Sequence, residues 1–197
     1  MTIGIIWFYT ASAAEKGTQY DVNEFDIAGV KLGMSWHQAM TALTTQLNIK
    51  ETDLRLDQYP NEDIVLQQKI PKYFVYEKDG IRVQVSFVAA IPVDQTNPLR
   101  ANLIFYEANR TDENMQNMRS KSIEKYGIPT NGIRDNDHVS TKYSWCRFDE
   151  SIKFNTCSNA IGAKLELTAP KLSMSDGSYL KKVQAYMDKK KSVDIAF

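Results

Sequence analysis

The chain of 197 residues carries 24 Lys plus Arg against 24 Asp plus Glu, with 43% hydrophobic and 24% charged residues. Those proportions exclude a disordered or collagen-like chain, and the length supplies enough apolar material for a sizeable core. Zero net charge argues against a protein built mainly to hold nucleic acid or an anionic membrane, since both need clustered positive charge.

Residues 1–13 differ in kind from the rest. Thr2 to Tyr9 is uncharged and mostly apolar, Ala11-Ser12-Ala13 follows, and the first charge is Glu15. An apolar stretch ending in A-x-A reads as a signal peptide cut after Ala13, although the basic residue that should open such a peptide is missing, as in a truncated start. The alternative is an N-terminal strand. Spanning a bilayer takes about 20 apolar residues, so no transmembrane segment is expected here. Residues 14–24 read as a polar arm.

From residue 25 the chain reads as one α+β domain. A short strand over Ile27–Leu32 runs into Gly33, Ser35 caps a helix, and Trp36, Ala39, Met40, Leu43 and Leu47 form its apolar face. Residues 48–63 form an acidic, turn-rich connection, with Glu51, Asp53, Asp57, Glu62 and Asp63 against Lys50 and Arg55. Strands are expected at Ile64–Ile70, Tyr73–Lys78, Ile81–Ala89 and Arg100–Glu107, with a tight turn at Asp79-Gly80. Two prolines, Pro92 and Pro98, make the segment before the last of these a loop.

Thr111 caps a second helix that Gly127 ends, with Pro129 beyond. Strands follow at about Ser140–Phe148, Ile152–Thr156 and Ala163–Ala169. Asp176 or Ser178 then opens a C-terminal helix with Tyr179, Leu180, Val183, Tyr186 and Met187 on one face. Helix, strands, helix, strands, helix indicates an antiparallel sheet with helices packed on one face. The order also suggests two tandem helix-plus-strands halves, 25–110 and 111–197.

Few chemical constellations emerge. Cys146 and Cys157 are expected to form a disulfide, drawn across a hairpin that pairs Arg147 with Thr156 and Phe148 with Asn155; an even cysteine count suits an exported protein. The loop Asp135-Asn136-Asp137-His138 offers Asp135, Asp137 and His138 as weak metal ligands, but it lacks EF-hand spacing and a further zinc ligand, and turn chemistry accounts for it. His37, beside the first helix cap, reads as an ordinary histidine. G-x-S-x-G, H-E-x-x-H and a phosphate-cradling glycine loop are all missing from the sequence, so neither an enzyme nor a cofactor is expected.

Charge is unevenly spread. Residues 1–110 hold 10 cations against 13 anions, net −3, and residues 111–197 hold 14 against 11, net +3. Lys181, Lys182, Lys189, Lys190 and Lys191 concentrate the basic charge near the C-terminus. They offer a surface for an acidic partner, or they complement the negative end of a helix.

The segment Ile27-Ala28-Gly29-Val30-Lys31-Leu32-Gly33-Met34-Ser35 resembles the opening of the small periplasmic SmpA/OmlA (BamE) domains, and Lys125-Tyr126-Gly127-Ile128-Pro129 looks like their helix exit. The β-lactamase inhibitor proteins share that fold in tandem copies. The resemblance covers about fifteen residues, lacks the family's lipid-anchoring cysteine, and divides entry and exit between two halves. It implies a periplasmic helix-on-sheet binding scaffold with no catalytic residues to carry over. The resulting expectation is an exported, non-catalytic protein-binding module: an envelope assembly factor or an inhibitor of a secreted enzyme. A small-ligand or lipid-binding protein lined by Trp36, Trp145 and several tyrosines is the alternative, and an envelope hydrolase the second alternative.

Overall fold

Each half of the chain begins with a helix whose start is written in the sequence. Ser35 and Gln38 form a reciprocal cap, Ser35 N donating to Gln38 Oε1 (2.9 Å) and Gln38 N to Ser35 Oγ (3.4 Å). They open α1, Trp36–Leu47. Thr111 Oγ1 accepts from Asn114 N (3.1 Å) and opens α2, Asp112–Tyr126, with Asp112 and Glu113 at its positive end. The computed structural model describes residues 18–132, 142–149, 151 and 157–194.

After α1 come β1 (Arg55–Leu56), β2 (Tyr73–Lys78), β3 (Ile81–Ala89) and β4 (Leu99–Ala108). After α2 come β5 (Tyr143–Phe148), β6 (Ala160–Thr168) and β7 (Lys171–Asp176), and then α3 (Tyr179–Asp194). All seven strands form one antiparallel sheet in the order β1-β2-β3-β4-β7-β6-β5. The fold is α+β. The first half runs helix and then four strands, the second helix and then three, each from an edge of the sheet inward, and the two innermost strands, β4 and β7, pair at the centre. In the turn between β2 and β3, Asp79 and Gly80 both have positive φ (51° and 75°), as a two-residue hairpin of type I′ requires. Asn109 crowds the glycine so closely that a Cβ there would collide with its amide.

Strand alternation sends Phe74, Val83, Val85, Ile104, Leu165 and Met174 to one face, all fully buried or nearly so. α1 lays Ala39 and Leu43 on that face. Trp36 meets Phe74 edge-on and lies tilted against Phe87, with ring centroids 5.3 and 4.7 Å apart. Tyr126 of α2 meets Trp145 edge-on at 5.9 Å, and Trp145 Nε1 donates to Gly127 O (2.8 Å). Burying each large apolar side chain stabilises by about 1.5–3 kcal/mol, and the aromatic pairs add to this. Trp36 and Trp145 thus serve as core.

Several expectations are corrected. Ile27–Leu32 is a bridge and not a strand. Ile27 and Val30 exchange both main-chain bonds (3.0 Å each) around Ala28-Gly29, which take φ of 50° and 80°. Gly29 lies so near α1 that a Cβ would meet Ala42 O at 3.1 Å. Ile64–Ile70 is not a strand either. The Asp63 carboxylate accepts from the amides of Val65 (2.9 Å) and Leu66 (3.0 Å) and winds the chain into a turn, with Gln67 at φ 54°. Leu180 is 78% exposed, off the half-buried stripe of Tyr179, Val183, Tyr186 and Met187. Strand β7 was not expected at all. The proposed strand Ile152–Thr156 lies outside the described residues.

Of the polar arm, residues 18–24 are described and they are anchored. Tyr20 N donates to Cys146 O (3.1 Å), Tyr20 OH to Ile128 O (2.7 Å) and Thr130 Oγ1 to Thr18 O (2.7 Å), while Val22 is buried.

Candidate functional site

The residues between the buried ones on each strand form the second face of the sheet, and the register arranges them in rows. At one end Glu77, Arg82, Glu107 and Lys171 stand side by side on β2, β3, β4 and β7, alternating in charge. Glu77 is held by Arg55 (2.6 Å) and Glu107 by Lys171 (3.2 Å), so the ladder is internally neutralised. The next row reads Val75, Gln84, Phe105, Ser173, Glu166, and the one after it Tyr73, Ser86, Leu103, Ser175, Lys164. At the centre of this face, over β3, β4 and β7, six residues are uncharged: Gln84, Ser86, Leu103, Phe105, Ser173 and Ser175. Leu103 is 37% exposed and the other five are half-buried. Gln84 Nε2 donates to Ser86 Oγ (3.1 Å), and Lys171 Nζ stands 5.9 Å from the centre of the Phe105 ring.

Charge closes the second side of this strip. Glu166 on β6 receives Lys142 (2.6 Å) and Lys164 (3.1 Å). Burial pushes its carboxyl up, but the two lysine bonds outweigh burial and hold it below the usual range. The strip thus has an uncharged centre with an aromatic and a leucine, rimmed by paired charges.

The residues singled out in the sequence fare differently. Cys146 and Cys157 are joined, with Cα atoms 5.7 Å apart. The joint is not the expected hairpin: Cys146 faces Lys164 in register, Phe148 faces Ala160, and Cys157 opens a 3-10 turn, Cys157–Asn159. The ladder partner of β5 is therefore β6. Of the lysines, Lys182 pairs with Asp176 (3.0 Å), while Lys181, Lys190 and Lys191 have no ion-pair partner among the described residues. At 3.6 residues per turn Lys182 and Lys189 share a side of α3, and the other three turn away around it. The helix therefore carries a basic collar, not a single basic face. Asp135, Asp137 and His138 lie outside the described residues, and His37 is exposed on the first turn of α1. Among the described residues no three His, Cys, Asp or Glu side chains come together as a metal site.

Sequence reasoning missed the strip because its residues are divided among β3, β4 and the unforeseen β7, two on each. The signal was present in Leu172-Ser173-Met174-Ser175, an alternation of apolar and small polar residues. It was masked by the preceding Pro170 and by the poor strand propensity of serine. Among the described residues no helix is long and apolar enough to cross a membrane. Comparison with known proteins finds no matching family model, no matching curated protein and no matching solved structure.

Proposed function

We propose that the protein is an exported, non-catalytic module that binds another protein through the open face of its sheet. The observation that carries this reading is the uncharged strip Gln84, Ser86, Leu103, Phe105, Ser173 and Ser175 inside a rim of paired charges. Export is supported by the Cys146–Cys157 disulfide, since such bonds persist in oxidising compartments, and by the apolar start ending in Ala11-Ser12-Ala13. The basic collar of α3 supports an acidic partner, which its lysines would steer at low ionic strength. The SmpA/OmlA-like segment favours an envelope assembly role, and the likeness to the β-lactamase inhibitor proteins an inhibitory one.

The test compares the chain with a Leu103→Glu, Ser173→Glu variant that puts two charges on the strip. Chemical cross-linking in an envelope extract at low salt should give one defined adduct with the unaltered chain and lose it with the variant at unchanged melting temperature. Identical adducts from both chains would overturn the reading. So would a strong rise in melting temperature caused by a small molecule or lipid in place of any adduct.

A further inference from the structure

The two lateral edges of the sheet differ in whether their main-chain groups are used. Outside β5, Tyr20 N reaches Cys146 O, and Asn131 and Ser144 exchange two bonds (3.1 and 2.9 Å). Outside β1 no strand follows among the described residues. Asp57 N donates to Tyr73 O (3.0 Å), which makes 57/73, and two residues earlier 55/75, the hydrogen-bonded pairs of the β1–β2 ladder. Leu56, opposite Phe74, therefore turns its N–H and its C=O outward. Neither has a partner among the described residues. An outward donor and acceptor on an edge strand are a template for a further strand.

The surroundings are those of a docking edge. Leu56, Tyr59 and Ile64 are 47%, 81% and 64% exposed within nine residues. Leu56, Gln58, Tyr59, Tyr73, Val75 and Gln84 line a groove of about 380 Å³ beside the edge. Arg55 and Arg82 also reach the groove, but Arg55 is bound to Glu77 and Arg82 stands between Glu77 and Glu107. The surplus charge comes from the flanking chain. Residues 50–63 carry five carboxylates against Lys50 and Arg55, and among the described residues only Asp63 of the five is ion-paired, with Lys72.

We propose that the β1 edge captures an extended segment of another protein, bearing lysine or arginine, as an eighth strand. The segment pairs through the main-chain groups of Leu56. Residues on either side of the paired one point into the Tyr59 groove, and basic side chains face Glu51, Asp53 and Glu62. The groove shares Gln84 with the open-face strip, but Leu103 does not line it, so Leu103→Glu leaves capture unchanged.

The probe is an acetylated, amidated nonapeptide alternating valine with lysine, set against its valine–glutamate counterpart and titrated into the full chain. The lysine peptide is expected to bind at least tenfold more tightly, to weaken tenfold or more between 50 and 300 mM salt, and to slow exchange of the Leu56 amide. Leu56→Pro removes an N–H that the folded chain does not use, so it should abolish binding at unchanged melting temperature. As a second variant that leaves the main chain untouched, Glu51→Gln with Glu62→Gln should weaken binding several-fold. Equal binding of the glutamate peptide, retained binding by Leu56→Pro, or binding of neither peptide would each overturn the proposal. Dimerisation of the unaltered chain that Leu56→Pro abolishes would assign the edge to a second copy and overturn it as well.

Discussion

At the β5 end of the sheet the outer strand is tied covalently and along its main chain: the disulfide runs from Cys146, Tyr20 and Asn131 bond to its free edge, and Trp145 beneath it is fully buried. At the β1 end the strand has two residues, neither buried, and closure is left to side-chain charge. Asp63 is buried, receives Lys72 Nζ at 2.5 Å, and pins the turn that follows β1. The two ends are therefore vulnerable to different agents. One should yield to reductant and to loss of core volume; the other should respond to acid through Asp63 and be indifferent to reductant.

The largest effect is expected where the β5 end uses its core. Trp145→Ala removes a fully buried indole together with its bond to Gly127 O, and should cost about 3–5 kcal/mol. Leu56→Ala at the other end, on a half-exposed side chain, should cost less than about 1 kcal/mol. Urea denaturation measures both through the midpoint, with the slope unchanged. Equal costs would erase the contrast.

Next comes the disulfide, whose cysteines are 11 apart in sequence. Replacing both by alanine should cost roughly 3 kcal/mol in the chain-entropy model. Reductant added to the unaltered chain should lower its urea midpoint as far as the double substitution does, and should not move that of the double variant. If the double variant keeps the original midpoint, the β5 end is not held covalently in any sense that matters to stability.

Asp63 provides the matching test at the β1 end. Burial raises its carboxyl pKa, yet the bonds from Lys72, Leu66 and Val65 more than offset burial and leave it below the usual range. A carboxyl depressed on folding contributes stability above its unfolded pKa and loses it as pH falls through its folded one. The contribution should therefore be intact at neutral pH and fade below about pH 4. Asp63→Asn should cost about 2 kcal/mol at pH 7, discounted because Lys72 is partly exposed, and should flatten the decline in melting temperature between pH 5 and 2. Thermal scans across that range check it.

This asymmetry was only half legible in the sequence. Elements whose ends carry caps or prolines and whose interiors alternate cleanly, such as α1, α2, β2 and β3, follow the pattern of single residues. So did the cysteine pair, because two thiols in an even count leave one partner each. The rest depended on tertiary competition. Asp63 looked like one more acid in an acidic loop, whereas its carboxylate bends Ile64–Ile70 out of a strand that the apolar residues favour. Ala28-Gly29 similarly closes a turn against α1 where Ile27 and Val30 alone suggest extension. The open-face strip was invisible for a different reason: its residues become neighbours only when β4 and β7 meet, some seventy residues apart in sequence.

The smallest effect is expected at the most conspicuous ion pair of the β1 end. Arg55 and Glu77 meet at 2.6 Å, but their side chains are 64% and 54% exposed. Water screens such a pair, and ordering two long side chains offsets most of the attraction that survives. Glu77→Gln should therefore shift stability by less than about 0.5 kcal/mol, in 50 mM salt as in 1 M. Length of contact is a poor guide here; burial decides, and it singles out Asp63. If Glu77→Gln costs as much as Asp63→Asn, closure of the β1 end is a distributed surface property. The contrast with a sealed β5 end would then have to be redrawn around total charge in place of one buried carboxylate.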